Sequence, residues 1–129
     1  MVVVAVVAIG SAAVALSLRD SAQAALRIEA QRLAAVLDSA RAQARAMGRP
    51  VRWRPVDGGY VLEGMPQAQG VQRWQVDNIT ARSTQADGAV ELGAAPIMVP
   101  HSVRLWLLDR PQTTALITTD GARPFILSP

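Results

Sequence analysis

The pattern of apolar and polar positions changes character twice along the chain. From Met1 to Leu18 there is no charged residue, and Gly10, Ser11 and Ser17 alone interrupt the apolar run. From Arg19 to Met47 the sequence is rich in alanine, arginine and glutamine, without proline or glycine. Its larger apolar residues recur at helical intervals: Leu26, Ala30, Leu33, Leu37, Ala40, Ala44 and Met47 are spaced 4, 3, 4, 3, 4 and 3 residues apart. That spacing draws one stripe along a helix, flanked by Val36. After Pro50 the period drops to two and the apolar runs become short, the signature of strands. The expected organisation is therefore an apolar helical half at 1–18, an amphipathic helical half at 19–48, and a β domain at 49–129.

Nothing between the two helical halves breaks a helix except Gly10, and an interior glycine costs only about 1 kcal/mol. One continuous helix of about 47 residues, roughly 70 Å long, follows. Asp20 near the start of the amphipathic half and Arg41, Arg45 and Arg49 near its end suit the helix dipole. Gly48 and Pro50 supply the stop. Alanine at three of the seven stripe positions suits close packing on a sheet or a neighbouring helix more than a leucine-rich zipper.

The first half admits three readings: a membrane-spanning helix, a cleaved secretory signal, or a buried core helix. As a helix its 18 residues reach roughly 27 Å, the short edge of what a ~30 Å hydrocarbon core requires. A signal peptide wants a basic n-region, and here Met1 is followed at once by Val2, although Ala22-Gln23-Ala24 resembles a cleavage site. A buried helix would need apolar partners on all sides, more than so small a β domain supplies. The anchor reading is the one carried forward. Its residues are Val2, Val3, Val4, Val6, Val7, Ile9, Gly10, Val14, Leu16 and Leu18, with Gly10 and the small Ser11, Ala12 and Ala13 permitting close helix–helix approach. The stripe from Leu26 to Met47 is expected to clamp the helix onto the β domain.

Strands are expected at Val51–Val56, Tyr60–Glu63, Val71–Val76, Val90–Leu92, Ile97–Val99, Val103–Leu108, Ala115–Thr119 and Phe125–Leu127, with Ile79–Ala89 as a loop. Asp-Gly occurs three times, at Asp57-Gly58, Asp87-Gly88 and Asp120-Gly121, each between strand-like runs, which favours tight hairpins. All eight prolines lie beyond residue 49. The fold class is α+β: a long N-terminal helix on a small domain of short antiparallel strands.

Composition narrows the chemistry. The absence of cysteine removes disulfides, thiolate catalysis and iron–sulfur ligation, and a single histidine leaves little for a metal site. The cations are 13 arginines, with no lysine, against 10 acids. Residues 51–129 carry seven arginines and seven acids, so the β domain is formally neutral and offers no excess of charge for phosphates. Nucleic acid is not an expected partner. His101 follows Pro100 at a strand entrance and reads as a solvent-facing turn residue rather than as a triad base for Ser102 or Ser128. Asp57, Asp87 and Asp120 lack calcium-loop spacing and read as turn formers. Gly58-Gly59 has no following helix or lysine and is no phosphate loop. Trp53, Trp74 and Trp106 stand beside Arg52, Arg54, Arg73 and Arg104 in strand-like runs. A stacking platform would read this way, but so would indoles in a core with guanidinium groups in water, and core packing is the expectation. No nucleophile with a base, no metal cluster and no cofactor loop emerges, so no enzyme activity and no cofactor is expected.

The apolar Val2–Leu18 segment, the run Glu29-Ala30-Gln31-Arg32-Leu33-Ala34-Ala35-Val36-Leu37, the string from Ala42 to Arg54 and the closing turn from Thr119-Asp120-Gly121 to Leu127 resemble the GspH family of minor pseudopilins of the bacterial type II secretion system. The resemblance implies a type IV pilin-like fold. It also implies a single-pass inner-membrane anchor, a periplasmic β domain, and assembly into a short pseudopilus that drives export of folded proteins. The implied partners are other pseudopilins, inner-membrane components of the machinery and membrane lipid, with prepilin peptidase added if a basic leader precedes the chain. In the family that leader is removed at a glycine, the new N-terminal phenylalanine is methylated, and a nearby glutamate guides assembly.

None of these precedes the apolar run here. Arg19, Arg27 and Arg32 lie on its far side, so by the positive-inside rule the sequence as it stands would insert backwards. The expectation is that about half a dozen mature residues and a leader lie upstream, which would also lengthen a span now near the minimum. Two alternatives accompany this reading: a FimT-like minor type IV pilin that serves DNA uptake, and a secreted β-domain binding protein with a cleaved signal. For the first, the C-terminal Gly121-Ala122-Arg123-Pro124 offers a single arginine.

Overall fold

The computed structural model describes the chain except for Met1, residues 66–69, Pro96, Met98 and Pro129, with side chains described from Ser21 onward. One helix, α1 (Val2–Met47), runs unbroken for 46 residues, about 69 Å at 1.5 Å per residue. Gly10 does not interrupt it. It ends where the sequence places the stop: Gly48 adopts φ 69°, its N–H donates to the Arg45 carbonyl at 3.3 Å, and the Arg49 N–H donates to the Ala44 carbonyl at 3.2 Å. This pair of reversed bonds is a Schellman cap, and it requires a left-handed residue at Gly48.

Eight strands follow: β1 (Val51–Val56), β2 (Gly59–Glu63), β3 (Gln72–Arg73), β4 (Ile79–Ser83), β5 (Val90–Leu92), β6 (His101–Leu107), β7 (Arg110–Thr119) and β8 (Ile126–Leu127). They form two four-stranded antiparallel sheets, ordered β3-β2-β1-β5 and β4-β6-β7-β8. The chain crosses to the second sheet for β4, returns to the first for β5, and stays in the second from β6 onward.

Several strand boundaries differ from the sequence-based expectation. Ile79–Ser83 is a strand rather than a loop; Ile79, Ala81 and Ser83 point inward and Arg82 outward. The run from Val71 to Val76 contributes only Gln72 and Arg73 to a sheet. Ile97 and Val99 are exposed and in no strand, and Met98 lies outside the described residues. The Asp-Gly pairs also divide. Asp57-Gly58 closes a two-residue hairpin, with Val56 opposite Gly59. Asp87-Gly88 instead joins strands of different sheets, and Asp120-Gly121 opens a longer loop to β8. The β6–β7 hairpin turns at Leu108-Asp109, which contains no glycine.

The core lies between α1 and the two sheets. From the helix Leu26, Leu33 and Leu37 enter it fully buried, each contributing about 1.5–3 kcal/mol. Val51 and Trp53 on β1, Val90 and Leu92 on β5, Val103 and Leu105 on β6 and Ile117 on β7 meet them. Trp53, Tyr60 and Trp74 form an aromatic ladder, with ring centroids 6.2 Å and then 5.2 Å apart in tilted arrangements that aromatic rings favour. Gly59 makes the close approach of β3 possible: a Cβ there would stand 2.0 Å from the Gln72 carbonyl oxygen.

Candidate functional site

The long helix and its junction with the β domain dominate the molecule. The stripe residues Leu26, Ala30, Leu33, Leu37, Ala40 and Ala44 are buried and Met47 is half-buried. The alanines let the helix axis approach the sheets, and α1 touches β7, β8, β1, β5 and β6.

Polar bonds tie the helix down at four levels. Gln23 donates from Nε2 to the Thr114 carbonyl at 3.1 Å. Glu29 is buried, and its Oε1 accepts the Gln75 backbone N–H at 3.1 Å and the Arg32 guanidinium at 2.8 Å. Asp38 accepts the Phe125 backbone N–H at 3.0 Å. Arg41 donates to the carbonyls of Gly121 and, at 3.2 Å, Arg123. These levels run from Gln23 to Arg41, about 27 Å along the axis.

Arg41 therefore does more than complement the helix dipole. It is buried, and it holds the β7–β8 loop. Desolvation is the main influence lowering its pKa, Arg45 adds to that, and Asp38 and Asp120 act in the opposite direction. The loop is braced from within as well. Thr119 donates from Oγ1 to the Arg123 carbonyl at 2.6 Å, and Asp120 accepts the backbone N–H groups of Ala122 and Arg123, each at 2.9 Å. Sequence reading did not pick out this clamp; the available signal was Asp38 and Arg41 at i, i+3 beside the apolar stripe.

The apolar residues Val2, Val3, Val4, Val6, Val7, Ile9, Gly10, Val14, Leu16 and Leu18, with Ser11, Ala12 and Ala13, belong to the helical backbone of α1, but their side chains lie outside the described residues. Among the described residues no helix is long and apolar enough to cross a membrane.

His101 is not a solvent-facing turn residue. It is the first residue of β6, is 7% exposed, and has Nδ1 3.4 Å from Gln85 Nε2. Burial lowers its pKa from the usual histidine value, and Glu91 partly offsets this. It lines a cleft of about 630 Å³ with Arg52, Gln85, Asp87, Ala89, Glu91, Gly93 and Val99, in which Arg52 pairs with Asp87. Neither Ser102 nor Ser128 has a hydrogen bond to this imidazole. No three of His, Cys, Asp or Glu gather into a metal cluster among the described residues. Asp87 and Asp120 accept turn N–H groups, which hold their carboxyl pKa values below the usual range, while Asp57 occupies its hairpin turn.

The tryptophans separate by position. Trp53 and Trp74 are buried, whereas Trp106 is only half-buried on the outer face of the second sheet, with the Arg104 guanidinium 5.7 Å from its ring centroid. Core packing thus accounts for two of the three, because Trp106 shares its strand with inward-facing Val103, Leu105 and Leu107 and falls on the opposite parity.

Two crystal structures of the type IV minor pilin FimU of Pseudomonas aeruginosa share this arrangement. At 15% identity they superpose with TM-scores of 0.59 and 0.56, covering 81% of this chain and 88% or 93% of theirs. That likeness establishes a type IV pilin fold, one N-terminal helix packed on antiparallel sheets. No curated relative matches the chain. The family described as type II transport protein GspH matches residues 29–128, which takes in the second part of α1 from Glu29 and all eight strands. The chain belongs to the GspH family, and is a structural, non-enzymatic minor pseudopilin or pilin.

Proposed function

We propose that the protein is a minor pseudopilin of a type II secretion system, held in the inner membrane by the first half of α1 with its β domain in the periplasm. It joins the pseudopilus by packing Val2–Leu18 among the helices of neighbouring subunits, and the pseudopilus drives export of folded proteins. One observation carries the reading: α1 is continuous from Val2 to Met47, and its first half, Val2–Leu18, carries no charged residue. A helical half with wholly apolar residues on every side needs lipid or other helices around it. The packed half transmits force, because the levels from Gln23 to Arg41 bind it to the middle of β7 and to the loop that follows it. Its partners are other pilin-like subunits, inner-membrane components of the machinery and lipid, with prepilin peptidase acting on a leader where one is present.

The fold shared with a type IV minor pilin also fits a place in a pilus. The DNA-uptake form of that reading gains little from the C-terminal loop, where Arg123 stands 3.8 Å from Asp120 and Arg41 is turned onto backbone carbonyls. Deleting the protein in its native cell distinguishes the two roles. Loss of exported folded enzymes from the medium with DNA uptake intact supports the secretion role. The converse result assigns the protein to a pilus.

A further inference from the structure

The outer face of the second sheet carries two exposed arginines, Arg82 and Arg104, neither of which makes an ion pair among the described residues. In register, Arg82 on β4 stands directly opposite Arg104 on β6, and both are exposed. Opposed like charges destabilise a sheet. Both guanidinium groups are nevertheless held by neutral partners. Arg82 donates from Nη2 to the Ala86 carbonyl at 2.8 Å, and Arg104 lies over the Trp106 ring at 5.7 Å.

None of the strands β4, β6, β7 and β8 contains an acid; the outward positions paired around the arginines are Thr80, Ser102, Trp106, Thr114, Leu116, Thr118 and Ile126. Across the neighbouring hollow Asp57 faces Trp106 and Arg82, but it makes no ion pair with either arginine. In the next strand Leu116 continues the Arg82–Arg104 row, 37% exposed, and Ile126 on β8 is 62% exposed beside it.

We infer that this face docks an acidic, partly apolar segment of a neighbouring protein subunit, with carboxylates on Arg82 and Arg104 and apolar side chains on Trp106, Leu116 and Ile126. The identity of the neighbour rests on the assembly reading above; the chemistry of the face does not. Guanidinium groups fixed in advance lose little freedom when they meet a carboxylate. The apolar pair and the formally neutral β domain favour a protein over a polyphosphate. A single half-buried indole, with the Arg104 guanidinium over its ring, is a poor stacking platform for a nucleic acid strand.

The test uses the full chain in neutral detergent and a fluorescent ten-residue peptide alternating Asp and Leu, read by anisotropy. The expected result is salt-sensitive binding that weakens at least tenfold in Arg82→Gln/Arg104→Gln and at least threefold in Trp106→Ala, with no binding of a Lys-Leu peptide. Both arginines are exposed, and removing their mutual repulsion leaves thermal unfolding unchanged or shifted upward. Should that double variant nonetheless misfold, the salt dependence and the Lys-Leu control on the unaltered chain decide the question. Failure of the Asp-Leu peptide to bind, equal binding of the Lys-Leu peptide, binding unchanged in a folded double variant, or tighter binding of a ten-nucleotide oligo-thymidine would overturn the inference. Each of these leaves the assembly reading standing, since that reading is judged by export from cells.

Discussion

The carboxylate of Asp38, on the helix, accepts the backbone N–H of Phe125, 87 residues further along the chain, at 3.0 Å. One turn later Arg41 donates to the carbonyls of Gly121 and Arg123. The last loop of the β domain therefore finds its hydrogen-bonding partners on the helix. Asp38→Ala should destabilise the chain by about 1.5–3 kcal/mol, the range for a hydrogen bond to a charged group. Arg41→Ala should cost about 1–3 kcal/mol, chiefly for the Gly121 carbonyl left without its donor, since the Arg123 carbonyl keeps its bond from Thr119 Oγ1, and Arg41→Lys should recover only part, because one ammonium does not reproduce the planar fork. Urea unfolding of the full chain in detergent measures both.

The two faces of α1 should respond very differently to truncation. Leu33 is 1% exposed and Ile28 55% exposed. Leu33→Ala should cost about 2–5 kcal/mol through lost burial and the cavity left behind. Ile28→Ala should stay within about 0.5 kcal/mol. Paired thermal melts of the two variants check the assignment of faces.

Gly59 is required for steric reasons. The Cβ of an alanine would collide with the Gln72 carbonyl oxygen, which belongs to the β3 backbone and has no side-chain freedom to move aside. Gly59→Ala should separate β3 from β2 and disturb the Tyr60–Trp74 contact beside it, lowering stability by about 1–3 kcal/mol. A changed tryptophan emission spectrum in the folded variant would report the local opening.

Much of this architecture was legible in the amino-acid sequence, and the misses share a physical origin. The helix stripe and the Gly48 stop are local signals, readable from spacing and from one residue's backbone freedom. β4 was not, because Ile-Thr-Ala-Arg-Ser carries one large apolar residue, and the small Ala81 and Ser83 look like loop until a facing strand covers them. The Leu108-Asp109 turn lacks the glycine that announces tight hairpins. The partners of His101 and Arg41 come from other parts of the chain, Gln85 for one and the β7–β8 loop for the other, so no local pattern encodes their burial. The apolar first half of α1 is plain in the sequence, whereas its neighbours in an assembly belong to other chains.

Stability should depend on pH through His101 in a definite direction. Burial lowers its pKa in the folded chain below the ordinary 6.5, with Glu91 opposing, so between those two values the unfolded chain binds more protons. Its contribution is complete above about pH 6.5 and declines as pH falls toward the lowered value. Tyr60 acts at the other extreme: burial, and then Glu29, raise its pKa above 10.0, so stability declines as pH rises past 10.0. His101→Gln should flatten the slope below pH 6.5 and leave the alkaline limb intact, as measured by melting temperature across pH 4.5 to 11.

The central claim is that the first half of α1 packs among the helices of neighbouring subunits. The chain contains no cysteine, so single cysteines at Val6, Gly10 and Val14, with Ser39→Cys on the exposed face of the packed half as the reference site, give an unambiguous readout by crosslinking in the native cell. The account predicts membrane-associated protein and adducts with other pilin-like subunits from the apolar positions, stronger at Gly10 than at its neighbours because close approach is possible there. Protein recovered wholly in the soluble fraction, with no adduct from any of the three apolar positions, would contradict it.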